Sequence, residues 1–249
     1  MRYEMMYPTD IRKAIDNNWP VILPLGVLEY HGEHCVLGVD TLVVVKAIEE
    51  LEKENNNIVI LPPFYYGASS YVVESPERNG SVHVGSEALN PFAKQLFTSL
   101  LRIGFKNITA FIHHQSENFT AGMPTDLAFK LAGRQAIFEH LEKIHGKEDW
   151  WGDNKMKDYY KDNSENANPF NWIRILPFMD EETQKLFPID HTGKQESSLM
   201  MAFCPEGIDM SKNTYEKWYM ESAKEANSDY ATSAKKMIMK SLKERLGLL

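Results

Sequence analysis

The apolar residues of this chain fall in runs too short for helices, with amphipathic stretches between them. Val21–Leu25, Ile58–Leu61, Ile108–Ile112 and Trp172–Leu176 are brief and carry β-branched side chains, as buried strands do. Thr41–Asn55 sets Leu42, Val45, Ile48 and Leu51 on one face and charges on the other, a helical period. Further helices are predicted from Asn90-Pro91 to Ile103 and from Ala121 to His145, with Gly104 and Gly146 as stops. A short capped helix is predicted from Thr9-Asp10, an apolar one over Ser198–Phe203, and a long one over Thr214–Leu246. In the last, Lys240, Lys243 and Arg245 suit the negative end of the helix dipole. Strands alternating with helices imply βαβ units, hence an α/β fold with a mainly parallel central sheet covered on both faces. Ligands in such sheets bind at the carboxyl ends of the strands.

Composition narrows the partners. The 249 residues suffice for one large domain, and no repeat or linker divides residues 1–249. A formal charge of −8 argues against nucleic acid and against an anionic membrane, because phosphate binding needs a basic face. The two cysteines, Cys35 and Cys204, make no spaced metal or redox motif, and such sparse usage fits a reducing compartment. Met1–Pro8 lacks the basic-then-apolar layout of a signal peptide. No apolar run approaches the roughly 20 residues that span a bilayer. A cytoplasmic location is the expectation.

Two of the predicted strands run directly into metal-capable side chains. After Val21–Leu25 come Glu29, His31, Glu33, His34 and Asp40; after Ile108–Ile112 come His113, His114, Gln115, Ser116 and Glu117. Carboxylates mixed with imidazoles suit Zn, Mn or Fe better than Mg or Ca alone. A polar surface loop is the alternative, and Asp40 serves as readily for a helix N-cap as for a ligand. Parallel crossovers would bring both stretches to one sheet edge, which favours the metal reading. The loop from Phe64 to Gly85 is long for a plain connection, and Phe64, Tyr65, Tyr66 and Tyr71 make it a candidate pocket wall. Residues 147–171 hold Trp150, Trp151, Tyr159, Tyr160 and Phe170 among many polar residues and read as an insertion or lid, with Trp150 or Trp151 a candidate for the pocket.

Three stretches together resemble the creatininase (creatinine amidohydrolase) family. Leu23-Pro24-Leu25-Gly26-Val27-Leu28-Glu29-Tyr30-His31-Gly32-Glu33-His34, closing at Gly38-Val39-Asp40, is similar to that family's first motif. Asp190-His191-Thr192-Gly193-Lys194-Gln195-Glu196-Ser197-Ser198 is similar to its Asp-His-Ala-Gly-x-x-Glu-Thr-Ser stretch, and Gly80-Ser81-Val82 and Gly67-Ala68-Ser69 echo a loop motif. The resemblance implies a three-layer α/β/α sandwich, a homo-oligomer (commonly a hexamer), and two divalent metal ions, zinc first, with Mn or Fe as alternatives. It implies Glu29, His31, Asp40, His114 and Glu196 as ligands, with Asp40 bridging. It further implies His191 as proton donor and acceptor, oriented by Asp190. Ile112-His113-His114-Gln115-Ser116-Glu117-Asn118 departs from the family's Asn-Gly-His-Gly-Gly-Asn turn, so Glu117 and His113 remain runner-up ligands, and His34 a supporting loop residue.

The activity implied is hydrolysis of a small, possibly cyclic, amide C–N bond by a metal-bound hydroxide, with substrate against Tyr65, Tyr66, Ser69, Tyr71 and Ser81. A deformylase or peptide-amide hydrolase is the nearest alternative. A ligand-binding member without catalysis is the alternative from another class, and the presence of the full Glu29, His31, Asp40, His191 and Glu196 set argues against it.

Overall fold

The computed structural model describes residues 1–162 and 168–249. Strands β1 (Val21–Leu25), β2 (Val59–Ile60), β3 (Ile108–Ile112) and β4 (Ile173–Pro177) form one sheet in the order β2-β1-β3-β4, parallel at every pairing. The helices of the described residues are α1 (Pro8–Asp16), α2 (Val39–Glu54), α3 (Ser86–Ile103), α4 (Pro124–His145), α5 (Tyr159–Asp162), α6 (Glu181–Leu186), α7 (Lys194–Phe203) and α8 (Ser228–Leu246).

Strand pleating sorts the core into two halves. Val21, Leu23 and Leu25 of β1, with Ile108, Ala110 and Ile112 of β3, join the cluster formed with α1, α3 and α4. Ile22 and Phe111 point the other way, into the cluster of α2, α7 and α8. The result is helix layer, sheet, helix layer, as the alternation of elements implies. Pro24 is tolerated inside the central strand β1 because β2 pairs only through Val21↔Val59 and Ile22↔Ile60. Its missing N–H therefore falls beyond the last rung on that side. Among the described residues no helix is long and apolar enough to cross a membrane.

Several boundaries differ from the sequence-based expectation, each for a local reason. Helix α3 begins at Ser86, not at Asn90-Pro91, so Pro91 lies inside the helix. Its exposed position leaves the unpaired Glu87 carbonyl to water, while the Asn90 side chain donates to the Ala128 carbonyl of α4. The predicted long C-terminal helix is broken: Trp218–Glu225 is a 3₁₀ segment, and α8 starts afresh where the Asn227 side chain accepts from the Tyr230 N–H. Arg245 does more than offset the helix dipole. Its guanidinium donates to the carbonyls of Pro177 and Phe178 and lies 4.9 Å over the Phe111 ring, tying α8 to the end of β4.

The described part of the aromatic segment 147–171 does not line the cavity at the strands' carboxyl ends. Trp150 stacks on His145 at 5.0 Å and Phe170 lies tilted against Phe138 at 5.4 Å, which sets these residues where α4 ends and β4 begins. That is the edge where the strands start, opposite their carboxyl ends. Residues 163–167 of the predicted insertion lie outside the described residues.

One glycine sets how closely strand and helix meet at the other edge. Gly26 follows β1 directly, and a Cβ there would stand 2.8 Å from the Thr41 amide nitrogen and 2.9 Å from the Thr41 Cα, in the first turn of α2. Backbone atoms cannot swing aside as a side chain tip can. Gly26→Ala is expected to lower stability by about 1–3 kcal/mol, the usual range for overpacking, measured as a shift in denaturation midpoint against the parent chain.

Candidate metal centre

The carboxyl ends of β1 and β3 and the first turns of α2 and α7 meet at one point. After β1 the chain closes on itself through Glu29 N–H donating to the Leu37 carbonyl (3.0 Å) and Tyr30 N–H donating to Ser81 Oγ (2.9 Å). Within that loop Gly32 takes a left-handed φ of +70°, which a side chain would disfavour. Gly38, not Asp40, is the N-cap of α2; Asp40 is its second residue and is buried, so the capping role offered by the sequence does not apply. Helix α7 begins at Lys194, not at Ser198, which puts Glu196 in its first turn.

Five predicted ligands converge on two donor groups that share one atom. His114 Nδ1 lies 3.4 Å from Glu29 Oε2 and 3.4 Å from Asp40 Oδ2. His31 Nε2 lies 3.6 Å from the same Asp40 Oδ2 and 3.5 Å from Glu196 Oε2. Glu29, Asp40 and His114 thus form one group, and His31, Asp40 and Glu196 another, every member buried. His191 completes a third, partly open group with Glu29 and His31.

The residues fit divalent cations by geometry and by charge. Donors about 2.1 Å from a tetrahedral cation stand about 3.4 Å from each other, close to the separations here. The His31 Nδ1–H donates to the Glu29 carbonyl (3.0 Å), which leaves Nε2 as a bare lone pair facing the carboxylates. His31 Nε2, Asp40 Oδ2 and His114 Nε2 are buried without a hydrogen-bond partner. No lysine or arginine lines the adjoining cavity among the described residues. Burial opposes a charge on His31, yet Glu196 and Asp40 together draw its pKa up to about 10. At His114 burial likewise opposes, and hydrogen bonds to Asp40 and Glu29 raise it to about 10. Burial works against ionised Glu196, but the adjacent His31 imidazole, with His113 beside it, holds its carboxyl well below the usual range. Positive charge is in demand throughout the cluster.

His191 is oriented by backbone, not by Asp190. Its Nε2 lies 3.0 Å from the Tyr30 carbonyl, which can only accept, so Nε2 carries the proton and Nδ1 is the acceptor in the neutral ring. The ring packs on His31 at 4.6 Å and edge-on to Tyr219 at 5.4 Å. Burial lowers its pKa, with a smaller push from His31. Asp190 instead accepts the N–H groups of Gly193, Gln195 and Glu196 at the start of α7, the positive end of that helix. Burial, then Glu196, raises its carboxyl to about 6. Thr192, between them, sits at a left-handed φ of +55° with its N–H on Glu196 Oε2 (2.6 Å), a strained conformation for a β-branched residue.

The remaining candidates separate. Ser69 lines the cavity of about 520 Å³ beside the donor groups, whereas Ser81 holds the Tyr30 backbone from outside it. Tyr65, Tyr66 and Tyr71 do not line it: Tyr66 and Tyr71 are exposed, and Tyr65 packs near Gly38. Neither Trp150 nor Trp151 reaches it. The place foreseen for these aromatics is taken by Val72 and Val73 and, from the 3₁₀ segment, by Trp218, Tyr219 and Ser222. Tyr219 Oη is buried without a hydrogen-bond partner. The sequence hides this wall because the helical pattern over Thr214–Leu246 conceals the 3₁₀ segment and the fresh start of α8. Glu117 is on the cavity wall but outside the donor groups. His34 is buried with Nε2 3.1 Å from Ser197 Oγ of α7, a packing role. His113 is buried with Nε2 3.4 Å from Glu196 Oε1, and belongs to none of the three groups.

Known proteins agree with this architecture. A crystal structure of creatinine amidohydrolase (creatininase) superposes with a TM-score of 0.71 at 17% identity, covering 99% of this chain and 96% of the other. A structure described as creatininase Mn gives 0.70 at 16% identity, with 98% of each chain covered. A putative creatinine amidohydrolase from Bacteroides fragilis gives 0.59 at 17%, covering 91% and 87%. At such identities the likeness establishes the fold. No curated protein sequence matches the chain. The creatininase family model, described as creatinine amidohydrolase, matches residues 4–240. Nearly the whole sequence is matched, and the chain belongs to the creatininase family.

Proposed function

We propose that the protein is a metal-dependent hydrolase of small amide C–N bonds, holding two divalent cations. The observation that carries this reading is the pair of buried donor groups joined at Asp40 Oδ2, with carboxylates exceeding any cation that faces them. Glu29 and His114 would hold one ion, His31 and Glu196 the other, and Asp40 both. Creatininase structures of Mn and of Zn-Zn type are among the folds this chain resembles, and the mixed carboxylate–imidazole donor set suits either metal. When bound, such ions lower the pKa of a water towards neutrality and polarise a carbonyl.

The chain's own residues supply the remaining work. His191, neutral and with Nε2–H fixed on the Tyr30 carbonyl, receives a proton at Nδ1 and returns it to the departing nitrogen. The buried, unpartnered Tyr219 hydroxyl offers a hydrogen bond to a polar group of the substrate. Val72, Val73, Met123, Ile189 and Trp218 give the cavity apolar walls, and its volume suits a small molecule. A lactam-like amide is the substrate class favoured by the family; hydrolysis of a formylated amine is the nearest relative of that chemistry.

Metal content by mass spectrometry is expected to give two ions per chain, with Asp40→Ala abolishing both; full occupancy in that variant would overturn the assignment. Removing both ions with a chelator is expected to lower Tm by about 10–20 °C, since each ion held at about 100 times its Kd contributes about 2.7 kcal/mol. In a screen of small cyclic amides and formamides, His191→Ala is expected to keep the metals and lose about 10²–10⁴ in kcat. A metal-loaded protein that turned over no member of the screen would favour a ligand-binding role.

A further inference from the structure

His113 sits between the end of β3 and the donor His114 and belongs to none of the donor groups. Its imidazole is nonetheless buried at the heart of the site, 2% exposed, packed edge-on against Phe178 at 5.6 Å. It is too far from the other donors to join any of the three donor groups. What it does face is Glu196: His113 Nε2 lies 3.4 Å from Oε1, while the other oxygen, Oε2, is 3.5 Å from His31 Nε2 and accepts the Thr192 N–H. The two carboxylate oxygens therefore have separate assignments, one to the His31–Asp40 group and one to His113.

We infer that His113 is a positioning residue that holds Glu196 to a single-oxygen presentation at the His31–Asp40 half of the site. The inference rests on the metal-centre reading above. Both His113 ring nitrogens are buried without a hydrogen-bond partner among the described residues, and the nearest acceptor to Nε2 is Oε1, at ion-pair distance. A proton on Nε2 faces Oε1 there and keeps that oxygen from swinging round to chelate beside Oε2. Among the described residues no imidazole outside the donor groups faces the Glu29 carboxylate in this way, so the two halves differ in how their glutamates are held. Losing an outer-shell contact of this kind typically costs about 10–100-fold in metal affinity.

The test compares His113→Phe, which keeps a ring of similar shape without the donor, with His113→Gln, which keeps an N–H able to reach Oε1. Zinc binding to each purified chain is followed by chelator competition, and Co(II) loading reports the coordination of each ion spectroscopically. The expected result is one zinc weakened about 10–100-fold in His113→Phe, the other unchanged, an altered spectrum for one Co(II) of two, and near-normal binding in His113→Gln. Wild-type affinity for both ions in His113→Phe, or an equal loss in His113→Gln, would overturn the role of His113 while leaving the metal centre standing. Wild-type protein that takes up no metal would overturn both. Should His113→Phe fail to fold by circular dichroism, His113→Ala against His113→Gln decides on the same criteria.

Discussion

Three carboxylates, those of Glu29, Asp40 and Glu196, are buried around one cluster, and among the described residues no lysine or arginine lines the cavity beside them. Isolated charges of this kind are expensive to remove from water, and a fold retains them only when opposite charge faces them. The imidazoles of His31 and His114 respond to that deficit by drawing protons well above their ordinary range. Two divalent cations would supply the same compensation at the shared Asp40 oxygen and free both imidazoles to act as lone-pair donors. The surrounding structure is arranged around this electrostatic demand.

The arrangement depends on several short segments holding rigid backbone. Gly26 lets the end of β1 meet the first turn of α2, which brings Asp40 to the cluster as a buried helical residue. Asp190 caps α7 and so sets the angle at which Glu196 enters from that helix. Backbone carbonyls of Glu29 and Tyr30 fix the tautomers of His31 and His191 respectively. One short loop therefore orients both the His31 and the His191 imidazoles, through main-chain atoms that any residue would provide.

Much of this was legible in the chain before folding was considered. The order of strands and helices and the parallel sheet follow from short apolar runs, and the candidate donors Glu29, His31, Asp40, His114 and Glu196, which the family resemblance implies, come together in the fold. Strand and helix periods are local properties, and a metal donor is recognised by its chemistry. The pocket walls were not legible. Tyr65, Tyr66 and Tyr71 look like a wall because they cluster in one loop, yet the backbone turns them elsewhere and admits Val72 and Val73 instead. Trp150 and Trp151 fall at the opposite edge because α4 runs the full depth of the sheet before releasing the chain. Trp218 and Tyr219 come from a segment whose helical period hid a break at Asn227.

By itself the sequence determined which chemical groups this protein has available and which secondary elements carry them, since both depend on side-chain identity and near neighbours. Only the tertiary structure decided their partnerships. That Asp40 serves two donor groups, that Asp190 belongs to a helix end and not to His191, and that the Glu196 oxygens are divided between His31 and His113 are relations between residues far apart in the chain. Such relations depend on the register of the parallel strands and the packing of α2 and α7 over their ends. Spacing along the chain carries no record of distances across it.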